Sequence, residues 1–139
     1  MIIPFFASDL REVQPSVLAY VGDAVYELYA RCWVAEHCSK KSGTMHRQAI
    51  KYVCAEAQAD AVRHLMDELD ETEQSYFRRG KNSNPGSMAK NASPADYMYA
   101  TGFEALIGYL FLDNNEARMN YIINKAFEYI DGKEGQDEK

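Results

Sequence analysis

The feature that most constrains this chain is a helical period that runs almost unbroken, with no stretch of sustained alternation to set against it. Between Pro15 and about His37 the apolar residues Val21, Val25, Leu28 and Cys32 follow i, i+4, i+7 and i+11, the spacing of a buried stripe. Residues 45–69 repeat the period with Ile50, Val53, Ala57, Ala61 and Leu65 inward, a break near Cys54, and Thr44 placed to cap the start. "DETE" at 70–73 has the form of a capping box, and the short helix it opens is expected to stop at Gly80. Ser93, Pro94 and Asp96 suit an N-cap, a first-turn proline and a first-turn acid for a helix through Leu112. A last helix then takes roughly residues 115–130. The fold class these periods predict is all-α.

With 139 residues, 47% of them hydrophobic and 26% charged, the chain suits one globular domain, expected over 1–131, followed by a frayed polar tail at 132–139. The apolar opening "MIIPFFA" reaches Asp9 and Arg11 too early for a signal peptide or a membrane span, and is expected to pack as an arm on the core. Cys32, Cys38 and Cys54 leave one thiol over in any disulfide scheme and have no CxxC spacing. A reducing cytoplasm with structural cysteines fits this usage.

A net charge of -6 argues against a nucleic-acid partner only if the charge is evenly spread. It is not. No acid occurs from His37 to Ala55, a window holding Lys40, Lys41, Arg47 and Lys51. None occurs from Gln74 to Ala95, which holds Arg78, Arg79, Lys81 and Lys90. Two segregated basic stretches can grip a polyanion if folding brings them together. The second contains "GKNSNPGSMAKNA", 80–92, an aperiodic run long enough to be a working loop.

Two acids stand out on otherwise apolar helices. From Val17 to Ala35 the only charges are Asp23, Glu27 and Arg31, and the last two form an ordinary i, i+4 surface pair. Asp23 follows Gly22, with Ala19 and Ala24 beside it, so there is room near its carboxylate for an ion and its water. Glu104 is the sole charge between Asp96 and Asp113 and has Ala100, Thr101 and Gly108 as helical neighbours, at the edge of a stripe of Phe103, Leu106, Ile107 and Leu110. A buried carboxylate needs a cation or a proton. Two such acids suggest Mg²⁺ held between them, with water and substrate phosphate filling its remaining positions. Ordinary partly buried salt bridges are the alternative.

"LAYVGDAVYE" resembles the signature of the ribonuclease III family, and "TGFEALIGYLFLD", preceded by "RRGK" at 78–81, resembles that family's second acidic motif. The match is closer to the short bacterial form, the Mini-ribonuclease III family, which lacks a double-stranded-RNA-binding domain. The resemblance implies a helical homodimer that cuts double-stranded RNA with Mg²⁺, in particular the paired ends of the 23S ribosomal RNA precursor, with ribosomal proteins as candidate accessory partners. Asp23 and Glu104 match the motif acids and take the catalytic and metal-binding roles. The larger family's two further acids fall here at Ala19 and Thr101, which favours a single ion per subunit. Without an appended domain, RNA contact falls to Arg78, Arg79, Lys81, Asn82 and Lys90, with Arg47 and Lys51 extending the groove. The apolar back of the first helix, around Ala19, Ala30 and Val34, is expected to serve the dimer. The competing readings are an RNA-binding assembly factor that keeps the fold without cutting, and a helical nucleotide pyrophosphohydrolase.

Overall fold

The computed structural model describes residues 6–38, 41, 43–83 and 93–137, with side chains to Lys133. Among them there is no strand. The helices are α1 (Pro15–His37), α2 (Thr44–Val53), α3 (Ala55–Leu65), α4 (Glu71–Asn82), α5 (Pro94–Leu112) and α6 (Glu116–Asp137), with a single 3₁₀ turn at Met66–Glu68.

The local start signals work as expected where they are strongest. Asp70 Oδ1 accepts from the Glu73 amide at 2.8 Å while Glu73 Oε1 accepts from the Asp70 amide at 2.9 Å, closing both halves of the capping box. Ser93 Oγ accepts from the Asp96 amide at 3.0 Å, with Pro94 in the first turn. At Cys54 the backbone becomes extended and separates α2 from α3. Thr44 differs from expectation. It lies inside α2, whose cap is Gly43 at φ 83°, a left-handed geometry that glycine adopts without strain.

Helix α5 is the hub, packed against α1, α3, α4 and α6. It is apolar on most sides, as a helix surrounded by others must be, and Phe103, Leu106, Ile107 and Leu110 are fully enclosed. Tyr26 and Phe127 meet at 5.3 Å, Tyr26 and Phe103 at 5.3 Å, and Tyr52 and Phe127 at 5.2 Å, locking α1, α2, α5 and α6 in one aromatic cluster.

The inward face of α1 keeps half of the expected stripe: Val25 is buried and Val21 packs against the core, whereas Leu28 is 55% exposed and Cys32 is also exposed. The rest of the buried face is Leu18, Ala19, Gly22, Tyr26, Ala30 and Val34. The small residues decide this, because they permit the close helix crossing described below, and bulk alone does not reveal which of two apolar faces turns inward. The surface around Ala19, Ala30 and Val34 is therefore core and not a dimer face. Ile50 likewise points out, at 46% exposure.

Gly80 does not end α4. A Cβ there would stand 2.5 Å from Ala105 Cβ, so the residue marks contact with α5, and the helix runs on to Asn82. Helix α6 also passes its expected end. Lys133 Nζ pairs with Asp60 at 2.6 Å, tying the last turns to α3. The expected arm and loop lie outside the described residues at 1–5 and 84–92; Phe6 is 39% exposed.

Candidate active site

The site starts from two glycines. Where α1 crosses α5, a Cβ on Gly22 would fall 1.8 Å from the Glu104 carbonyl oxygen, and one on Gly108 would fall 1.9 Å from that of Leu18. Both obstacles are backbone and cannot swing away, so the helices come this close only because neither position carries a side chain. Gly22 is thus spent on helix contact and does not leave room for an ion. Its consequence for the acids is positional: Asp23 follows the crossing residue on α1, and Glu104 supplies the backbone that Gly22 touches on α5.

The two carboxyl groups meet there. Asp23 is exposed at the rim, Glu104 lies largely buried beneath, and their side chains are within hydrogen-bonding reach. Burial pushes Glu104 up to about 9, from the ordinary 4.5, and the hydrogen bond and charge of Asp23 push in the same direction. A hydrogen bond from Gln58 opposes the shift. Gln58 is itself 2% exposed; its Nε2 donates to the Val53 carbonyl at 2.8 Å and to Glu104 Oε2 at 3.4 Å. Gln58 is not among the residues the motifs point to, although a lone glutamine in register with the buried Ala61, Val62 and Leu65 was a visible signal.

No third acid joins the pair. Ala19 is buried, Thr101 Oγ1 donates back to the Tyr97 carbonyl at 2.9 Å, and Glu27 is engaged by Arg31 at 2.9 Å. Among the described residues no cluster of three or more His, Cys, Asp or Glu side chains is placed to hold a metal. Two facing carboxylates form an oxygen donor set short of positive charge, which suits a hard divalent cation that keeps most of its water. The Tyr26 hydroxyl is fully buried without a hydrogen-bond partner and is raised by burial, with the charges of Cys54 and Glu104 contributing.

The Ribonuclease III domain family model matches residues 16–115, a span that holds both acids. The chain belongs to the ribonuclease III family. Curated relatives named Mini-ribonuclease 3 include that of Clostridium tetani, 39% identical over 96% of this chain and 91% of its own length, and that of Brevibacillus brevis, 43% identical over 86% and 89%. A crystal structure of a Fusobacterium nucleatum protein superposes with a TM-score of 0.77 at 26% identity, covering 88% of this chain and 98% of the other. The ribonuclease III domain makes the chain an endoribonuclease acting on double-stranded RNA. The non-cutting assembly factor and the pyrophosphohydrolase give way to this.

Holding a polyanion takes cationic side chains, and the expected basic residues divide into two groups. Arg78 and Arg47 are exposed, as is Asn82. Arg79 instead donates to the carbonyls of Arg11 and Val13 at 3.2 and 3.4 Å, binding the segment before α1 to α4. Lys51 lies over the Tyr52 ring and 4.0 Å from Asp131. Lys81 and Arg63 both lie over Tyr99, at 5.2 and 4.4 Å from its centroid, and Arg63 is also paired with Asp96 at 2.9 Å and Asp60 at 3.4 Å. Lys90 lies outside the described residues. A surface cavity of about 280 Å³ opens elsewhere, between the α2–α3 corner and α6, and its Lys133 and Asp60 are already paired. Among the described residues no helix is long and apolar enough to cross a membrane.

Proposed function

We propose that Asp23 and Glu104 jointly bind Mg²⁺, and that two copies of the chain cut double-stranded RNA at the paired ends of the 23S ribosomal RNA precursor. The observation that carries this reading is the meeting of two lone acids at the Gly22–Gly108 crossing, where Glu104 lies largely buried and faces another acid. The reaction is hydrolysis of a phosphodiester, in which water adds to phosphorus and the 3′ oxygen leaves. A bound divalent ion supplies Lewis acidity and an activated water for such chemistry. Asp23 provides an anionic ligand at the accessible rim and Glu104 one from below. The close helix crossing shuts bulk water out behind them. Arg78, Lys81, Asn82 and Arg47, with Lys90 and Lys51, are the groups that would hold the duplex by its phosphates and 2′-hydroxyls.

Dimerisation rests on α1. Val17 at 42%, Tyr20 at 82% and Leu28 at 55% exposure lie along one side of it, an apolar strip with the right form for a two-fold contact with a second copy. Three free thiols support a reducing, cytoplasmic setting.

The test is to incubate the purified protein with paired precursor RNA and Mg²⁺, beside Asp23→Asn and Glu104→Gln. The wild type should cleave, and each variant should bind RNA but leave it intact. Equal cleavage by all three proteins, or none by the wild type, would end the proposal. Sedimentation should give twice the chain mass, and Tyr20→Glu with Leu28→Glu should reduce it to one.

A further inference from the structure

Behind the acid pair sits a polar side chain whose burial demands an explanation. Gln58 is 2% exposed in the first turn of α3, where an apolar residue would pack without cost in desolvation. Its orientation is settled by its neighbours. The Val53 carbonyl, at the open C-terminal end of α2, can only accept, so the NH₂ must face it, and turning the amide over would set oxygen against oxygen; the same NH₂ reaches Glu104 Oε2 at 3.4 Å. That leaves Oε1 buried with no hydrogen-bond partner. An unpaired buried carbonyl is destabilising. A cap for α2 alone explains the contact to Val53; it explains neither the second contact to Glu104 nor the unsatisfied oxygen.

We propose that Gln58 is a positioning residue for the acid pair: anchored on the Val53 carbonyl, its carboxamide aims the Glu104 carboxylate at Asp23 and offers Oε1 as the acceptor for a water held in the site. This rests on the reading that Asp23 and Glu104 bind a divalent cation. Hard cations such as Mg²⁺ retain several waters, and those waters need acceptors that a site with only two carboxylates supplies sparingly. Groups that orient a ligand or its water typically change metal affinity by about 10- to 100-fold when removed.

The experiment measures Mn²⁺ binding to the RNA-free protein by calorimetry for wild type, Gln58→Leu, Gln58→Met and Glu104→Gln, with RNA cleavage followed as a function of Mg²⁺ concentration. Wild type should bind, and Glu104→Gln should not. The two Gln58 variants should bind about tenfold or more weakly. Their cleavage curves should move to higher Mg²⁺ by the same factor and recover near the wild-type rate at saturation, which a residue acting through the metal ligand predicts and a general loss of structure does not. In the wild type itself, adding Mg²⁺ should shift the side-chain amide resonances of Gln58, a measurement that does not depend on any variant folding. Lowered melting temperature with unchanged Mn²⁺ affinity would make Gln58 a cap for α2 and overturn the proposal, as would amide resonances that Mg²⁺ leaves in place. Failure of the wild type to bind Mn²⁺, or undiminished binding by Glu104→Gln, would instead overturn the acid-pair reading beneath it.

Discussion

At the start of α4 the Glu73 carboxylate is 3% exposed and fully provided for: Arg118 donates to Oε2 at 2.7 Å and to Oε1 at 3.0 Å, and the Asp70 amide donates to Oε1 at 2.9 Å. At the α1–α5 crossing Glu104 is also largely buried, yet its neighbours are another acid and one amide at 3.4 Å. The same side chain is a fastener in one place and an open valence in the other. A buried acid supplied with its own cation by the fold is explained by stability. One that the fold leaves facing a second acid must hold either a proton or a cation, and a site where a bound cation can displace the proton is a candidate for function.

Exchanging each acid for its amide breaks this comparison most directly. Glu104→Gln should lower RNA cleavage by about a thousandfold or more, the scale of losing a group that acts in the transition state. It should leave the metal-free protein as stable as the wild type or more so, because it removes a crowded carboxyl. Glu73→Gln should do the reverse, costing about 3 kcal/mol in urea unfolding while the folded fraction keeps its activity. Equal stability losses in the two variants would mean that both acids are structural.

The next effect comes from the crossing that brings the acids together. Gly22→Ala places a methyl group 1.8 Å from the Glu104 carbonyl oxygen, so α1 must retreat from α5. A loss of about 2–3 kcal/mol is expected from overpacking. Gly43→Ala provides a control: a Cβ there meets nothing within 4 Å, and its cost should come only from the left-handed backbone, about 1 kcal/mol.

How much of this was legible in the residues follows from how local each signal is. The capping box at Asp70 and the start of α5 at Ser93 involve partners three residues apart, and the structure has both. Phe103, Leu106, Ile107 and Leu110 were legible because beyond Asp96 in its first turn the hub helix carries only one charge, Glu104. The inward face of α1 was not, since Val21 and Leu28 make one side apolar and Leu18, Tyr26 and Val34 make the other apolar too. Gly80 carries the letter of a helix stop and the job of a helix contact, and only the position of Ala105 distinguishes them. Asp23 and Glu104 were visible as two isolated acids; that they share one site depends on a crossing between residues far apart in the chain.

The acid pair should also set a pH dependence that Glu73 does not. Glu104 titrates at about 9 in the folded protein against 4.5 ordinarily. Below 4.5 both the folded and unfolded states hold the proton; between 4.5 and about 9 only the folded state does, so its stability falls as pH rises through that window. Thermal melts of metal-free protein should lose at least about 5 °C across it, a little over 1 kcal/mol. Glu104→Gln should flatten the slope, and saturating Mg²⁺ should flatten it in the wild type by binding the ionised pair. A wild-type slope that survives the substitution would assign the dependence to other groups.

The smallest effects belong to the basic surface, where Arg78 and Arg79 are adjacent in sequence and differ in use. Arg78 is exposed, while Arg79 spends its guanidinium on the Arg11 and Val13 carbonyls. If Arg78 contacts a phosphate, Arg78→Ala should weaken RNA binding at low salt and reduce the slope of log affinity against log salt by about 1, with melting temperature unchanged. Arg79→Ala should lower the melting temperature by a few degrees through the lost anchor and leave the salt slope where it was. Lys81, partly held over Tyr99 at 5.2 Å, should fall between the two. A salt slope that responds to Arg79 and not to Arg78 would mean that the duplex displaces the segment before α1, and that the anchor is itself part of the RNA-binding surface.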